Sequence, residues 1–192
     1  SRRAPARTSE TPMTVAVVSD THLPRGAREL PAAVEAHVRE ADLVIHSGDF
    51  TSPELVERFR TMGPPLIAVH GNADEGSVRD ALPATATVTC GGVTIGVVHN
   101  GGPEAGRVAR LRRRFPECGI VVFGHSHIPL LAGDGDLTIV NPGSAADAAR
   151  REDSDTEPAA VALRALGGDE RAEHAAENRS SLPWPRSGAG GA

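Results

Sequence analysis

Gly119-Ile120-Val121-Val122-Phe123-Gly124-His125-Ser126-His127 is the stretch on which the reading of this chain turns. Its first five residues are short, apolar and rich in β-branched side chains, the pattern of a buried strand. The chain then turns on a glycine and presents two imidazoles, one residue apart. A neutral imidazole is a good ligand for zinc, manganese or iron. Two of them on the lip of a strand read as part of a metal site, so the remaining chain must be searched for the missing ligands.

The first half supplies three more strands of the same kind. Residues 14–18 are apolar almost throughout, as suits a strand covered on both faces, and run into Ser19-Asp20-Thr21-His22. After a loop at Leu23-Pro24-Arg25-Gly26, Leu30, Val34, Val38 and Ala41 recur at helical spacing, which predicts an amphipathic helix over residues 28–40. Residues 42–46 form the next strand and end in Ser47-Gly48-Asp49. Ser52 and Pro53 mark a helix start, as cap and first-turn proline, for a helix reaching about residue 61. Residues 66–69 form the third strand and end in His70-Gly71-Asn72-Ala73-Asp74. Strand, helix, strand, helix, strand implies a mostly parallel sheet with right-handed crossovers. Open α/β sheets place their ligands at the carboxyl ends of such strands.

Beyond that point the pattern changes. Residues 85–90 and 93–98 flank Gly91-Gly92, a pair suited to a tight hairpin. The second of these strands closes on His99-Asn100-Gly101-Gly102. An arginine-rich helix over residues 103–115 leads to the strand of the opening stretch. Asp134-Gly135-Asp136 turns into a strand over residues 137–140, which ends in Asn141-Pro142-Gly143-Ser144, and residues 159–166 read as a last strand. Residues 1–12 and 167–192 carry no periodicity and read as disordered tails around a domain at 13–166.

With 192 residues, 39% hydrophobic and 23% charged, the chain has the composition of one globular domain. No apolar run approaches a membrane span, and the arginine-bearing N-terminus lacks the apolar core of a secretory signal, so a cytoplasmic location is expected. The formal charge of −5 argues against nucleic acid as a partner held through phosphates. All 20 basic residues are arginine, a bias of coding rather than of function. Cys90 and Cys118 fit no metal or redox motif and read as reduced thiols.

Collected strand by strand, the polar ends offer Asp20 and His22, Asp49, Asn72, His99, and His125 with His127. All are oxygen or imidazole donors and none is a thiol. Seven are more than one ion uses. They suit a pair of metals about 3.5–4 Å apart with a carboxylate between them. Such donors favour manganese, iron or zinc, with nickel and cobalt also accommodated. Any one of these residues read alone is an ordinary turn or cap residue. His46 and His70 read as packing near the site, His37 and His174 as solvent-facing. The arginines of residues 107–114 read as a solvated face, with a docking face for a phosphate-rich substrate or an oligomer contact as the rival.

Asp20-x-His22, Gly48-Asp49, Gly71-Asn72, His99 and Gly124-His125-x-His127, in this order, resemble the calcineurin-like metallophosphoesterases. The short length and the Asn141-Pro142-Gly143-Ser144 turn resemble their small YfcE-like phosphodiesterase branch. The resemblance implies an α/β fold, a four-layer αββα sandwich of two mixed β-sheets flanked by helices. It further implies that Asp20, His22 and His127 hold one metal, that Asn72, His99 and His125 hold another, and that Asp49 bridges them. Asp49, Asn72 and His99 would carry catalysis: hydrolysis of phosphate esters, chiefly phosphodiesters, through a water activated by two divalent ions, manganese foremost. A small phosphoester is then the expected partner, and a homo-oligomer stays open. Two departures stand out. Ala73 occupies the place where the larger family has a proton-donating histidine, although Asp74, that histidine's support, is kept. Gly101 replaces a further histidine. The alternatives to hydrolysis are a non-catalytic metal-binding scaffold or protein-interaction module of the same fold and, more distantly, a nuclease.

Overall fold

Strands that are apolar along their whole length need cover on both faces, and this chain provides it in four layers. The computed structural model describes residues 13–23, 29–145 and 161–165. In chain order the elements are β1 (Met13–Val18), α1 (Ala32–Glu40), β2 (Leu43–His46), α2 (Pro53–Thr61), β3 (Leu66–Ala68), α3 (Gly76–Ala81), β4 (Thr85–Cys90), β5 (Val93–Val98), α4 (Arg107–Arg114), β6 (Ile120–Val122), β7 (Leu130–Asp134), β8 (Leu137–Asn141) and β9 (Val161–Ala165). Two mixed sheets result, ordered β3-β2-β1-β9 and β4-β5-β6-β8-β7. In the first, β1, β2 and β3 run parallel and β9 antiparallel. In the second, β5, β6 and β8 run parallel, with β4 and β7 as antiparallel edges.

Alternation along the strands sorts the side chains into three cores. Val15 and Val17 of β1 meet Ile45 of β2, Val97 of β5, Val122 of β6 and Val140 of β8 between the sheets. Ala16, Val18 and Val44 face the other way, onto Val34 and Val38 of α1, Leu55 and Phe59 of α2 and Val78 of α3. On the far side Val121, Phe123 and Ile139 pack under Leu111 and Phe115 at α4. Each fully buried aliphatic side chain contributes about 1.5–3 kcal/mol, so register is strongly specified in both sheets. No helix among the described residues is long and apolar enough to cross a membrane.

Register also aims the strand ends. Val18 pairs with His46, so residues 19–22 leave β1 beside residues 47–49 leaving β2. Val97 pairs with Val122, and Gly124 then donates its N–H to the His99 carbonyl at 2.9 Å. The carboxyl ends of the parallel strands of both sheets converge on one edge of the sandwich.

The structure adjusts several expectations. α1 begins at Ala32 and not at 28, because Pro31 stands extended, at a ψ of 137°, immediately before it; residues 24–28, with the loop expected there, lie outside the described residues, as do both tails and the ends of the 159–166 strand. α4 begins at Arg107 and not at 103, because Gly106 takes a left-handed φ of 69° immediately before it. β3 stops at Ala68 and β8 runs one residue further, to Asn141. α3 and β7 are additions. α3 has six residues with one buried position, too few to show a period. β7 is a half-exposed edge strand whose partner is set by the Gly135-Asp136 turn.

Candidate metal centre

The loops leaving β1 and β2 extend the parallel ladder past the strands. Asp20 N donates to Gly48 O and His22 N to Asp49 O, both at 3.0 Å. Along this edge the backbone is left-handed at Asp20 (φ 52°), His22 (47°), Asp49 (60°), His125 (69°) and His127 (56°). Non-glycine residues rarely sit there, and each instance costs roughly 1–2 kcal/mol. Five of the seven predicted ligands share this conformation, and the side chains of four of them, Asp20, His22, Asp49 and His127, meet at the site. Strain of this kind clusters at functional sites.

The donors crowd closely. His22 Nε2 lies 3.2 Å from His127 Nε2 and 3.6 Å from Asp49 Oδ2. His127 Nε2 lies 3.3 Å from Asp20 Oδ1. Asp49 Oδ2 is 3.4 Å from His99 Nε2, and Asn72 Oδ1 is 3.0 Å from the same nitrogen. Among the described residues, two groups have ligand atoms all within 4.8 Å of one another: Asp20, His22 and His127, and Asp20, Asp49 and His99. Asp20 belongs to both groups, while Asp49 reaches His22 on one side and His99 on the other. His125 joins neither group; it is exposed and stands edge-on to His99, ring centroids 5.2 Å apart.

The set suits a cation by its own chemistry. His99 Nδ1 faces the Ser47 carbonyl at 2.9 Å, while Nε2 faces the Asn72 amide oxygen and the Asp49 carboxylate. A neutral ring has one N–H to give, so its second nitrogen needs a proton or a metal. Burial works against the charged ring, but the hydrogen bond and charge of Asp49, with Asp20 and the Ser47 carbonyl, raise its pKa above the ordinary histidine value. Asp49 is desolvated too, yet His99 and the Ala73 N–H, at 2.8 Å from Oδ1, hold its pKa below the ordinary carboxylate value. Burial dominates at Asp20 and pushes its pKa up, against a 2.6 Å bond from the Ser19 hydroxyl.

Three glycines permit this crowding. A Cβ on Gly71 would stand 2.1 Å from Asp49 Oδ1, and one on Gly124 would stand 1.9 Å from Ser19 Oγ and 2.6 Å from Asp20 Oδ2. At Gly48 it would meet His99 Nδ1 at 2.8 Å. The Gly-Asp, Gly-Asn and Gly-His pairs of the sequence are therefore backbone gaps into which ligand atoms fit.

Further residues hold the loops, in roles toward the backbone that the sequence did not show. Asp74 accepts the backbone N–H of Thr51 at 2.7 Å, Gly71 at 2.6 Å and Asp49 at 3.2 Å. Arg79 of α3 donates to the Asn72 carbonyl. Asn141 Nδ2 donates to Gly124 O and Ser126 Oγ, both at 3.0 Å, and Ser144 Oγ donates to Asp20 O at 2.9 Å, so the turn at the end of β8 props two of the site's loops. The arginine face is less open than its sequence implies. Arg107 and Arg110 donate to the carbonyls of Gly102 and Gly101, bracing the loop after His99.

A model of the calcineurin-like phosphoesterase superfamily domain matches residues 13–163. A probable metallophosphoesterase of Methanothermobacter thermautotrophicus is 32% identical over 134 residues, 69% of this chain and 77% of that protein. Another, from Methanocaldococcus jannaschii, is 35% identical over 136 residues, covering 69% and 68%. Among solved structures, vacuolar protein sorting 29 of Cryptosporidium parvum superposes with a TM-score of 0.67 at 23% identity, over 81% of this chain and 86% of that one, a likeness of fold.

Proposed function

We propose a hydrolytic function from one premise: the chain belongs to the calcineurin-like phosphoesterase superfamily. The substrate is a small phosphate ester, and a diester in preference to a monoester. The observation that carries this reading is the meeting, from four strand ends, of Asp20, His22, Asp49, His99 and His127 in two groups that share Asp20, with the ligand atoms of each group within 4.8 Å of one another. Asp20, His22 and His127 would hold one divalent ion, Asn72, His99 and His125 a second, and Asp49 would lie between them. A donor set of oxygen and nitrogen without sulfur supports manganese first. Two such ions would neutralise charge on the phosphoryl oxygens and supply a water that deprotonates near neutral pH.

The protein's own groups do the rest. Ser47 O takes the Nδ1 proton of His99 and so reserves Nε2 for the cation. Ser19 and the His125 N–H fix the Asp20 carboxylate. At the leaving-group side, Ala73 has no proton to give, and its N–H is engaged by Asp49. Leaving groups that depart as stable anions, such as aryl oxides, are therefore favoured. A cytoplasmic location fits this chemistry.

The test is release of nitrophenol from bis(4-nitrophenyl) phosphate with added manganese, compared with chelator. Manganese-dependent turnover supports the reading. Metal binding without turnover on aryl or alkyl esters would instead make the chain a scaffold.

A further inference from the structure

His46 is fully buried at the end of β2, behind the donor cluster. Its ring stacks on Phe50, centroids 3.5 Å apart at 19°, and meets the edge of Phe59 at 5.1 Å. A histidine in so apolar a cage needs both nitrogens satisfied. The Gly48 N–H donates to Nδ1 at 3.2 Å, so Nδ1 carries a lone pair and the ring proton sits on Nε2. Nε2 lies 3.2 Å from the Thr21 hydroxyl, which itself donates to the Asp49 carbonyl at 3.3 Å. A carbonyl accepts only, so the one hydroxyl hydrogen is spent on Asp49 and Thr21 must accept from His46. Two independent arguments reach the same tautomer.

The contacts bind together loops that carry three of the candidate ligands. Thr21 sits between Asp20 and His22, and Gly48 immediately precedes Asp49. These loops hold four left-handed residues in a short span: Asp20, His22, Gly48 and Asp49. Strained backbone persists only where its surroundings over-determine it. We infer that His46 is a positioning residue of the centre, a neutral Nε2–H imidazole that spaces the Asp20–His22 loop from the Gly48–Asp49 loop through Thr21 and the Gly48 amide. It touches neither substrate nor metal.

This inference rests on the reading of the cluster as a metal centre, and the experiment separates the two. Manganese affinity is measured by calorimetry on the full chain, for the unaltered protein and for His46→Phe, His46→Asn and Thr21→Val. Phenylalanine keeps the stacking volume and removes both polar atoms, so a packing role alone leaves affinity unchanged. The expected result is a tenfold or greater loss in His46→Phe and Thr21→Val, the scale for removing a group that orients a ligand. Partial recovery is expected in His46→Asn, whose amide can still accept from Gly48. Nitrogen-15 spectra of the unaltered protein should show His46 with a bare Nδ1 and a protonated Nε2, which stands whether or not a variant folds. Affinities within twofold of the unaltered protein, or an Nδ1–H signature, would overturn the role of His46. No manganese binding by the unaltered protein would instead overturn the metal centre.

Discussion

The carboxylate of Asp74 accepts the backbone N–H of Asp49 at 3.2 Å, locking the end of β2 to the loop after β3. The same carboxylate takes the N–H groups of Gly71 and Thr51 and is buried. Thr51 shows why the lock is needed: it is β-branched and holds a φ of 86°. With Ala73 beside it, Asp74 has no side-chain imidazole to support in this chain and works on the backbone alone. Replacing Asp74 with Asn puts an amide NH2 against one of these donors and removes the charge. Denaturant unfolding should show a loss of about 2–3 kcal/mol, with manganese affinity falling alongside it. A change below roughly 0.5 kcal/mol would show the lock to be dispensable.

Gly71 separates steric fit from backbone strain. Its φ is not in the left-handed region, so alanine is tolerated by the backbone, yet the new Cβ would stand 2.1 Å from Asp49 Oδ1. Gly71→Ala should fold, lose about 1–3 kcal/mol to overpacking, and bind manganese at least tenfold more weakly. Calorimetry on the purified variant reads this directly. Unchanged affinity would mean that Asp49 is not held where the centre needs it.

Metal-free protein should show a stability maximum near pH 6.5. Above that value the raised pKa of His99 matters: the folded state keeps a proton that the unfolded chain has lost, and this contribution disappears as pH rises through the folded value. Below it the buried His46 matters. Desolvation lowers its pKa well below 6.5, so its contribution is complete above the unfolded value and is lost as pH falls. Asp20, with a raised pKa, offsets part of the acid-side loss. Melting temperature in chelator should pass through that maximum. With manganese it should keep rising to about pH 8, because binding requires unprotonated imidazoles. Identical profiles with and without manganese would contradict the ligand assignment.

Absence of an acid at position 73 predicts a steep dependence of rate on leaving-group acidity across aryl diesters. Introducing the donor by Ala73→His should flatten that dependence and improve esters with poor leaving groups by about 10- to 100-fold. A flat profile in the unaltered chain, with chemistry rate-limiting, would place the proton donor elsewhere.

Much of this was legible in the amino-acid order. Continuous apolar runs marked β1, β2 and β6, and each closed on the donors that the structure brings together. The Gly91-Gly92 pair located the β4–β5 hairpin, with both glycines left-handed. What escaped was what tertiary contact decides. α3 buries Val78 alone, and β7 is an edge strand defined by its partner. Asp74 looked like the remnant of a lost pair, because backbone acceptor roles leave no trace in spacing. Arg107 and Arg110 looked solvated until Gly101 and Gly102 were seen beneath them. His125 was grouped with the other ligands by its motif, but its exposed ring stands outside the close clusters.

The most direct measurement is the metal content and turnover of the unaltered protein beside Asp49→Asn, both saturated with manganese and assayed on bis(4-nitrophenyl) phosphate. Two manganese ions per chain with turnover, and loss of both in the variant, is the expected result. Full turnover in chelator, or an Asp49→Asn protein that keeps its metal and its rate, would contradict a hydrolytic centre built on Asp49.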